Sequence, residues 1–317
     1  MPDHHPGDVI ESNSTRQGAA TLHNLGLYAQ AGWSRFAPYL EVTGGLRYDN
    51  HSRYGNQMSG RIGLVSSPLA LLHFKLLYGA AFKAPAPLLL YGVSHQVRDI
   101  EGNESLQPQK VRTAETQVLL TPSENFSFST GVSVNNLTDK AEFVQQGLDR
   151  VADNISKMCS YSLESELSWS YRNWIRTHLS FERQWASRQY VGYNGAYNAY
   201  LLADRNVIYP DYIIRAGVYA GAPFVPVRVG IRMSYVGKRR SSEMNAIENV
   251  GMYELPAYFM LGAHLATQGI KLMDDRETVF SVAGRNLTNR KVADPGFTGI
   301  DYPLSPLTIF FEVSQQL

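Results

Sequence analysis

The sequence predicts an all-β protein: an antiparallel meander of the transmembrane β-barrel class. Three observations carry that prediction. Apolar and polar residues alternate in runs of about ten along the chain, the links between runs alternate between short and long, and the composition suits strands. Of 317 residues, 18% are charged and 11% aromatic, with 19 tyrosines. Such usage favours pleated sheet over helix. The formal net charge of +1 gives no electrostatic reason to expect a nucleic-acid partner. Cys159 is the single cysteine, which excludes a disulfide framework and a cysteine-based zinc cage. No apolar run approaches the ~18 residues of a membrane-crossing helix, so any crossing must use strands.

The runs follow in order. Residues 1–22 are polar, lack a signal-peptide pattern and read as a disordered N-terminal segment; residues 23–317 hold the strands. "LGLYAQAGW" places Leu25, Leu27, Ala29, Ala31 and Trp33 on one face. "YLEVTGGLRYD" sets Leu40, Val42, Leu46 and Tyr48 against Glu41, Thr43 and Arg47. "LHFKLLYGAAF" sets Leu72, Phe74, Leu76, Tyr78 and Phe82 against His73 and Lys75. The cleanest run, "SYSLESELSWSY", opposes Tyr161, Leu163, Leu167, Trp169 and Tyr171 to Ser162, Glu164, Glu166, Ser168 and Ser170. "VRVGIRMSYVG" opposes Val227, Val229, Ile231, Met233 and Tyr235 to Arg228, Arg232 and Ser234. The last run, "TIFFEVSQQL", sets Ile309, Phe311, Val313 and the final Leu317 in one phase, broken by Gln315, with Phe310 out of place in the other.

Alternation alone fits a soluble sandwich as well as a barrel, because only the sense of in and out differs. The links separate the two. "SRFAP", "SSPLA", "TPSEN", "RN" and "GAPFVP" are short. Asn50–Met58, Lys83–Gln109, Leu137–Lys157, Ser187–Pro210, Lys238–Leu255 and Asn289–Leu304 are long. Short periplasmic turns on one rim and long extracellular loops on the other describe an outer-membrane barrel, here with about thirteen strands. Trp33, Trp169 and Trp174 fall beside short turns and Trp185 beside a long loop, as interfacial girdles require.

Several motifs then resemble a known family. "FKAP" at Phe82–Pro85 resembles the element ending an upward strand in TonB-dependent outer-membrane receptors. "GNESLQPQ" at Gly102–Gln109 resembles the element before the next downward strand, with Gln109 where Glu is usual. "GLRYD" at Gly45–Asp49, "SGRIGL" at Ser59–Leu64 and "GRNLTNRKVADPGF" at Gly284–Phe297 are similar to neighbouring strands and loops, and the ending is similar to the final strand, with Leu317 for the usual aromatic. The resemblance implies an outer-membrane receptor of a Gram-negative bacterium taking up a scarce solute (siderophore-iron, vitamin or glycan). It implies a twenty-two-strand barrel around a plug, a TonB-type energy transducer as partner of the full-length receptor, and a last strand read by the barrel insertion machinery. Plug, transducer-contacting box and signal peptide are not recognisable here. The chain therefore reads as the C-terminal part of such a barrel, from a truncated gene, a split receptor or a longer chain. The alternative is a passive outer-membrane binding or pore barrel without energy coupling.

Candidate ligand-binding residues lie in loops. Tyr190, Tyr193, Tyr197 and Tyr200 in "QYVGYNGAYNAYLLADRNVIYP" offer rigid aromatic area for stacking, or pack the loops together. Lys238, Arg239 and Arg240 in "GKRRSS" form a basic rim for an anionic chelate or, more blandly, lipopolysaccharide phosphates beside outer-membrane lipid. No catalytic residues, metal ligands or cofactor are expected. His178 and Glu182, on the polar phase of one run, are the nearest approach to a catalytic pair and read as a solvated network. His4 with His5, and Asp274, Asp275 with Glu277, read as an inert tail and a solvated turn.

Overall fold

The computed structural model describes residues 21–93, 100–146, 149–190, 209–242, 245, 251, 253–273, 276–296 and 299–315. Thirteen long strands among them form one sheet: β1 Asn24–Phe36, β2 Leu40–His51, β3 Gly55–Leu69, β4 Leu72–Lys83, β5 Gln109–Ser123, β6 Phe126–Gln146, β7 Asp149–Tyr171, β8 Ile175–Tyr190, β9 Tyr212–Ala220, β10 Val227–Val236, β11 Tyr258–Thr267, β12 Arg276–Arg285 and β13 Thr308–Gln315. Each pairs antiparallel with its neighbour in sequence, a pure meander. Among the described residues β1 and β13 do not pair with each other, so the sheet keeps two edges.

Directly opposed residues share a face, so the register sorts every side chain. Gly131, Glu164, Glu182 and Ile213 are opposed in turn from β6 to β9, and Arg215, Ser234 and Met260 from β9 to β11. A cavity of about 490 Å³ on this face is lined by residues of β4 to β9, including Lys75, Glu115, Glu164, Glu166 and Arg215. This is the concave wall. Leu163, Leu167, Val229 and Ile231 belong to the other phase, on the convex wall, with Glu164, Glu166, Arg228 and Arg232 opposite, as the alternation predicts. The apolar phase is not covered: Leu25, Leu46 and Val313 are 63%, 64% and 66% exposed. A sandwich would bury this phase first. Phe310, out of phase in sequence, does lie on the concave side, with the Arg285 guanidinium 5.1 Å from its ring centroid.

The short turns fall on one rim, where bulges at Trp33/Phe36, Ser66/Leu69 and Leu120/Ser123 tighten the strand ends. Two of the expected long loops are different. Asn50–Met58 is a tight hairpin that turns at Ser52–Tyr54. Leu137–Lys157 is no loop: β6 and β7 continue as a ribbon to Gln146 and Asp149. The ribbon was hidden because its phase slips at Leu137/Lys140 and again at Lys140/Ala141, beside Asp139 at φ 57°. Beyond the slips the ribbon stands against loop residues, so the alternation of the wall does not carry into it. Against it packs the buried core: Leu90 of a short helix (α1, Pro87–Tyr91), Leu106 and Ala152, flanked by Tyr54, Ala141 and Phe143. Residues 1–20 of the N-terminal segment, Asp274, Asp275 and Leu317 lie outside the described residues.

Candidate functional site

Two polar regions lie on the concave wall, and two further assemblies stand at the long-loop rim. At mid-height Glu164 of β7 and Glu182 of β8 are directly opposed, a like-charge pair that is unfavourable unless compensated. Arg215 of β9 supplies the compensation, its Nη1 lying 3.5 Å from the Glu182 carboxylate. Glu115, Glu166 and Lys75 complete the polar lining, and each is open to solvent.

Towards the short-turn rim the lining changes to rings. His178 of β8 faces Gly217 of β9, and a Cβ there would come 2.1 Å from the imidazole Cε1. Tyr219 faces Gly230 of β10 in the same manner, with 2.9 Å to the phenol ring. The two rings stack at 6.3 Å and 20°, each laid on a glycine of the next strand. Beside them Arg176, Arg228, His264 and Glu277 line a second cavity of about 730 Å³. Tyr219 and the two glycines were missed in sequence, because only the register reveals a glycine opposite a ring. His178 and Glu182 do not form a pair. Four residues along one strand place their backbones ~13 Å apart, and Glu182 turns to Arg215.

At the long-loop rim two assemblies are built from loop residues. Arg53 reaches the Glu104 carboxylate and main chain, lies 6.0 Å from the Tyr91 ring centroid, and sits in the chain between His51 and Tyr54, whose rings stack. The second clamps two loops. Asn245, fully buried, donates to the Tyr253 hydroxyl and the Asp301 carboxylate at 3.1 Å each and accepts from the Gly299 amide at 2.8 Å. Tyr253 donates to the same Asp301 oxygen at 2.9 Å. Burial is the main cause holding the Tyr253 phenol above its ordinary pKa. Gly296 is required here, since a Cβ would lie 1.8 Å from the Ile300 carbonyl oxygen.

The basic run divides between roles. Lys238 is exposed and paired with Glu254 at 2.7 Å, which raises its ammonium pKa. Arg240 is exposed. Arg239 is not a rim charge: it is 3% exposed, and its guanidinium donates to the carbonyls of Gly237, Pro256 and Ala293 at 3.0, 3.2 and 2.8 Å. It also lies 3.5 Å from the Asp294 carboxylate and 4.6 Å from the Tyr258 ring centroid. Successive residues of the small Arg239–Arg240 ladder point to opposite sides, so one of the two must turn in. Tyr190 ends β8, opposite Ser156. Tyr193, Tyr197 and Tyr200 lie outside the described residues.

The TonB dependent receptor-like β-barrel family matches residues 3–287 of the sequence. The chain belongs to that family. Solved structures agree on the fold. The FrpB iron transporter of Neisseria meningitidis matches with a TM-score of 0.70 at 13% identity, over 92% of this chain and 45% of that one. The ferric-catecholate import receptor Fiu of Escherichia coli K12 matches at 0.70 and 15%, over 92% and 44%. The ferric enterobactin receptor PfeA of Pseudomonas aeruginosa matches at 0.69 and 14%, over 96% and 46%. This TonB-dependent receptor-like chain thus spans under half the length of those structures. The proteins it resembles are receptors and transporters. No curated sequence matches it.

Proposed function

We propose that the thirteen strands form part of the wall of an outer-membrane receptor that takes up a scarce chelate, of the iron–siderophore class, in a Gram-negative bacterium. The observation that carries this is the joint one of family membership and a polar concave wall behind an uncovered apolar convex wall. The tryptophan spacing supports a membrane setting. From Ile175, beside Trp174, to Trp185 is ten residues, or ~33 Å of strand; tilted by ~40° that spans ~25 Å, the height of a barrel's apolar band. The two sheet edges left unpaired among the described residues, with the coverage of 44–46%, support a wall completed by further strands, since an open edge cannot be satisfied in lipid. In this reading the receptor uses a TonB-type energy transducer, its long loops meet lipopolysaccharide, and β13 is recognised by the barrel insertion machinery.

Uptake of radio-iron chelates by cells carrying the receptor tests the reading. Uptake should fall at least tenfold when a protonophore collapses the proton gradient, while binding to the cell surface persists. Uptake that ignores the protonophore would make the protein a passive barrel.

A further inference from the structure

The convex wall is apolar but not uncharged, and its charges are sorted by sign. Below the ribbon, strands β4 to β9 carry the carboxylates Glu115, Glu164, Glu166 and Glu182, and all of them line the cavity of the concave wall. Three cations of the same strands take the opposite phase. Arg183 of β8 faces Leu163 of β7 and Tyr212 of β9, so it shares the wall of the leucines. Arg112 of β5 faces Ala80 of β4 and Asn136 of β6, and Asn136 faces Cys159, which has the phase of Leu163 on β7. Lys110 stands two residues beyond Arg112, opposite Phe82.

An aromatic row crosses these strands on the same face. Tyr78, Ala114, Val134, Tyr161 and Trp185 are opposed in turn from β4 to β8, and the three rings are exposed. Arg112 and Lys110 lie on its long-loop side, and Arg183 lies one step below it. Arg183 turns back towards the row, its guanidinium 4.5 Å from the Trp185 ring centroid. All three cations are exposed, and among the described residues none of their side chains makes a hydrogen bond or an ion pair. A cation on the lipid-facing side of a barrel is costliest at mid-membrane and cheapest at the interface, so its stem carries the charge towards the headgroups. Arg183 points that way. Guanidinium forks match phosphate oxygens two by two. Arg112 and Arg183 stand three strands apart, ~14 Å of sheet, which is too wide for a single phosphate.

We propose that Lys110, Arg112 and Arg183 bind a lipid whose headgroup carries more than one phosphate, in the leaflet at the long-loop side. The site rests on the membrane setting of the preceding section and goes beyond it, because loops that meet lipopolysaccharide from outside need no cation on the wall.

Native mass spectrometry of the full chain in detergent tests the site, with bisphosphorylated or monophosphorylated lipid A of identical acyl chains as the probe. The bisphosphorylated form should bind about fivefold more tightly, the effect of one further charge pair at a membrane surface, and the preference should shrink as salt is added. Arg112→Gln with Arg183→Gln should erase the preference, and circular dichroism checks strand content. Arg183→Lys alone, which keeps the charge without the planar fork and spares the strand, should retain only part of it. Lys238→Gln with Arg240→Gln, at the long-loop rim, should leave it intact. Equal binding of the two lipids by the parent, or a preference that survives in Arg112→Gln with Arg183→Gln, overturns the site and leaves the membrane setting in place. A preference lost in the rim pair instead moves the phosphates to the loops and overturns it too. A preference abolished by millimolar inorganic phosphate overturns it in favour of a free-anion site. Failure of both lipids to bind would remove the membrane setting together with the site.

Discussion

Single residues show where reading by type stops. Lys238, Arg239 and Arg240 are indistinguishable as a basic run, yet one is paired at the surface, one is buried and one is exposed. Arg239 joins three carbonyls, a carboxylate and a ring, and all of these but the Gly237 carbonyl come from segments distant in sequence, so little local marks it. Arg239→Ala should cost ~2–3 kcal/mol, because hydrogen bonds to a buried charge are lost and their acceptors stay desolvated. Arg240→Ala should stay within ~0.5 kcal/mol. Urea midpoints in micelles compare the two, and equal midpoints would refute the clamp. The same division bears on ligand recognition. With Arg239 occupied, the rim offers a chelate only solvated charge, worth ~1 kcal/mol or less per pair. Aromatic stacking contributes ~1–3 kcal/mol per contact in systems where bases stack on side chains. Tyr193→Ala with Tyr197→Ala should therefore weaken chelate binding by the receptor at least tenfold, and Lys238→Ser with Arg240→Ser should weaken it less. A titration in which the tyrosine pair binds like the parent sinks the stacking role.

Elements were legible where one face had to differ from the other. β7 was read residue by residue because ten residues between Tyr161 and Tyr171 alternate, with only Ser165 out of pattern, and admit only one phase. Its outer extension was not, because it packs against loop residues and two register slips scramble the period. The glycine–ring pairs were hidden for another reason: they depend on which residues face each other across strands, and alternation within a strand is silent on that. Gly217 and His178 give the test. The imidazole occupies the space where a Cβ would sit, so Gly217→Ala must push it off. The ring is the far end of a flexible side chain beside an open cavity, which puts the cost at the low end of overpacking, ~1 kcal/mol. In the background of His178→Ala the same change should cost almost nothing. A double-mutant cycle that is additive within ~0.3 kcal/mol would show that the ring does not depend on the glycine.

At the scale of the whole molecule, what the sequence dictates is a two-sided wall. Leu163 and Leu167 alternate with Glu164 and Glu166 on β7, and the structure places the two sets on opposite faces. How the wall is completed was not legible, because a strand's partner at a free edge leaves no trace in its own alternation. Which face meets lipid is a separate question, and site-directed thiols answer it. In a Cys159→Ser background, Leu163→Cys, Glu164→Cys, Glu166→Cys and Leu167→Cys are made singly and the receptor is reconstituted into bilayers. A membrane-impermeant maleimide needs water to reach a thiolate. The two positions on the glutamate phase should label at least tenfold faster than the two on the leucine phase, which face hydrocarbon where neither water nor reagent enters. Dissolving the bilayer in urea should bring all four to one rate, so that slow labelling is traced to the lipid and not to the thiol. Fast labelling of the leucine phase in intact bilayers would mean that the apolar wall is covered by something other than lipid, and the barrel would have to be turned inside out.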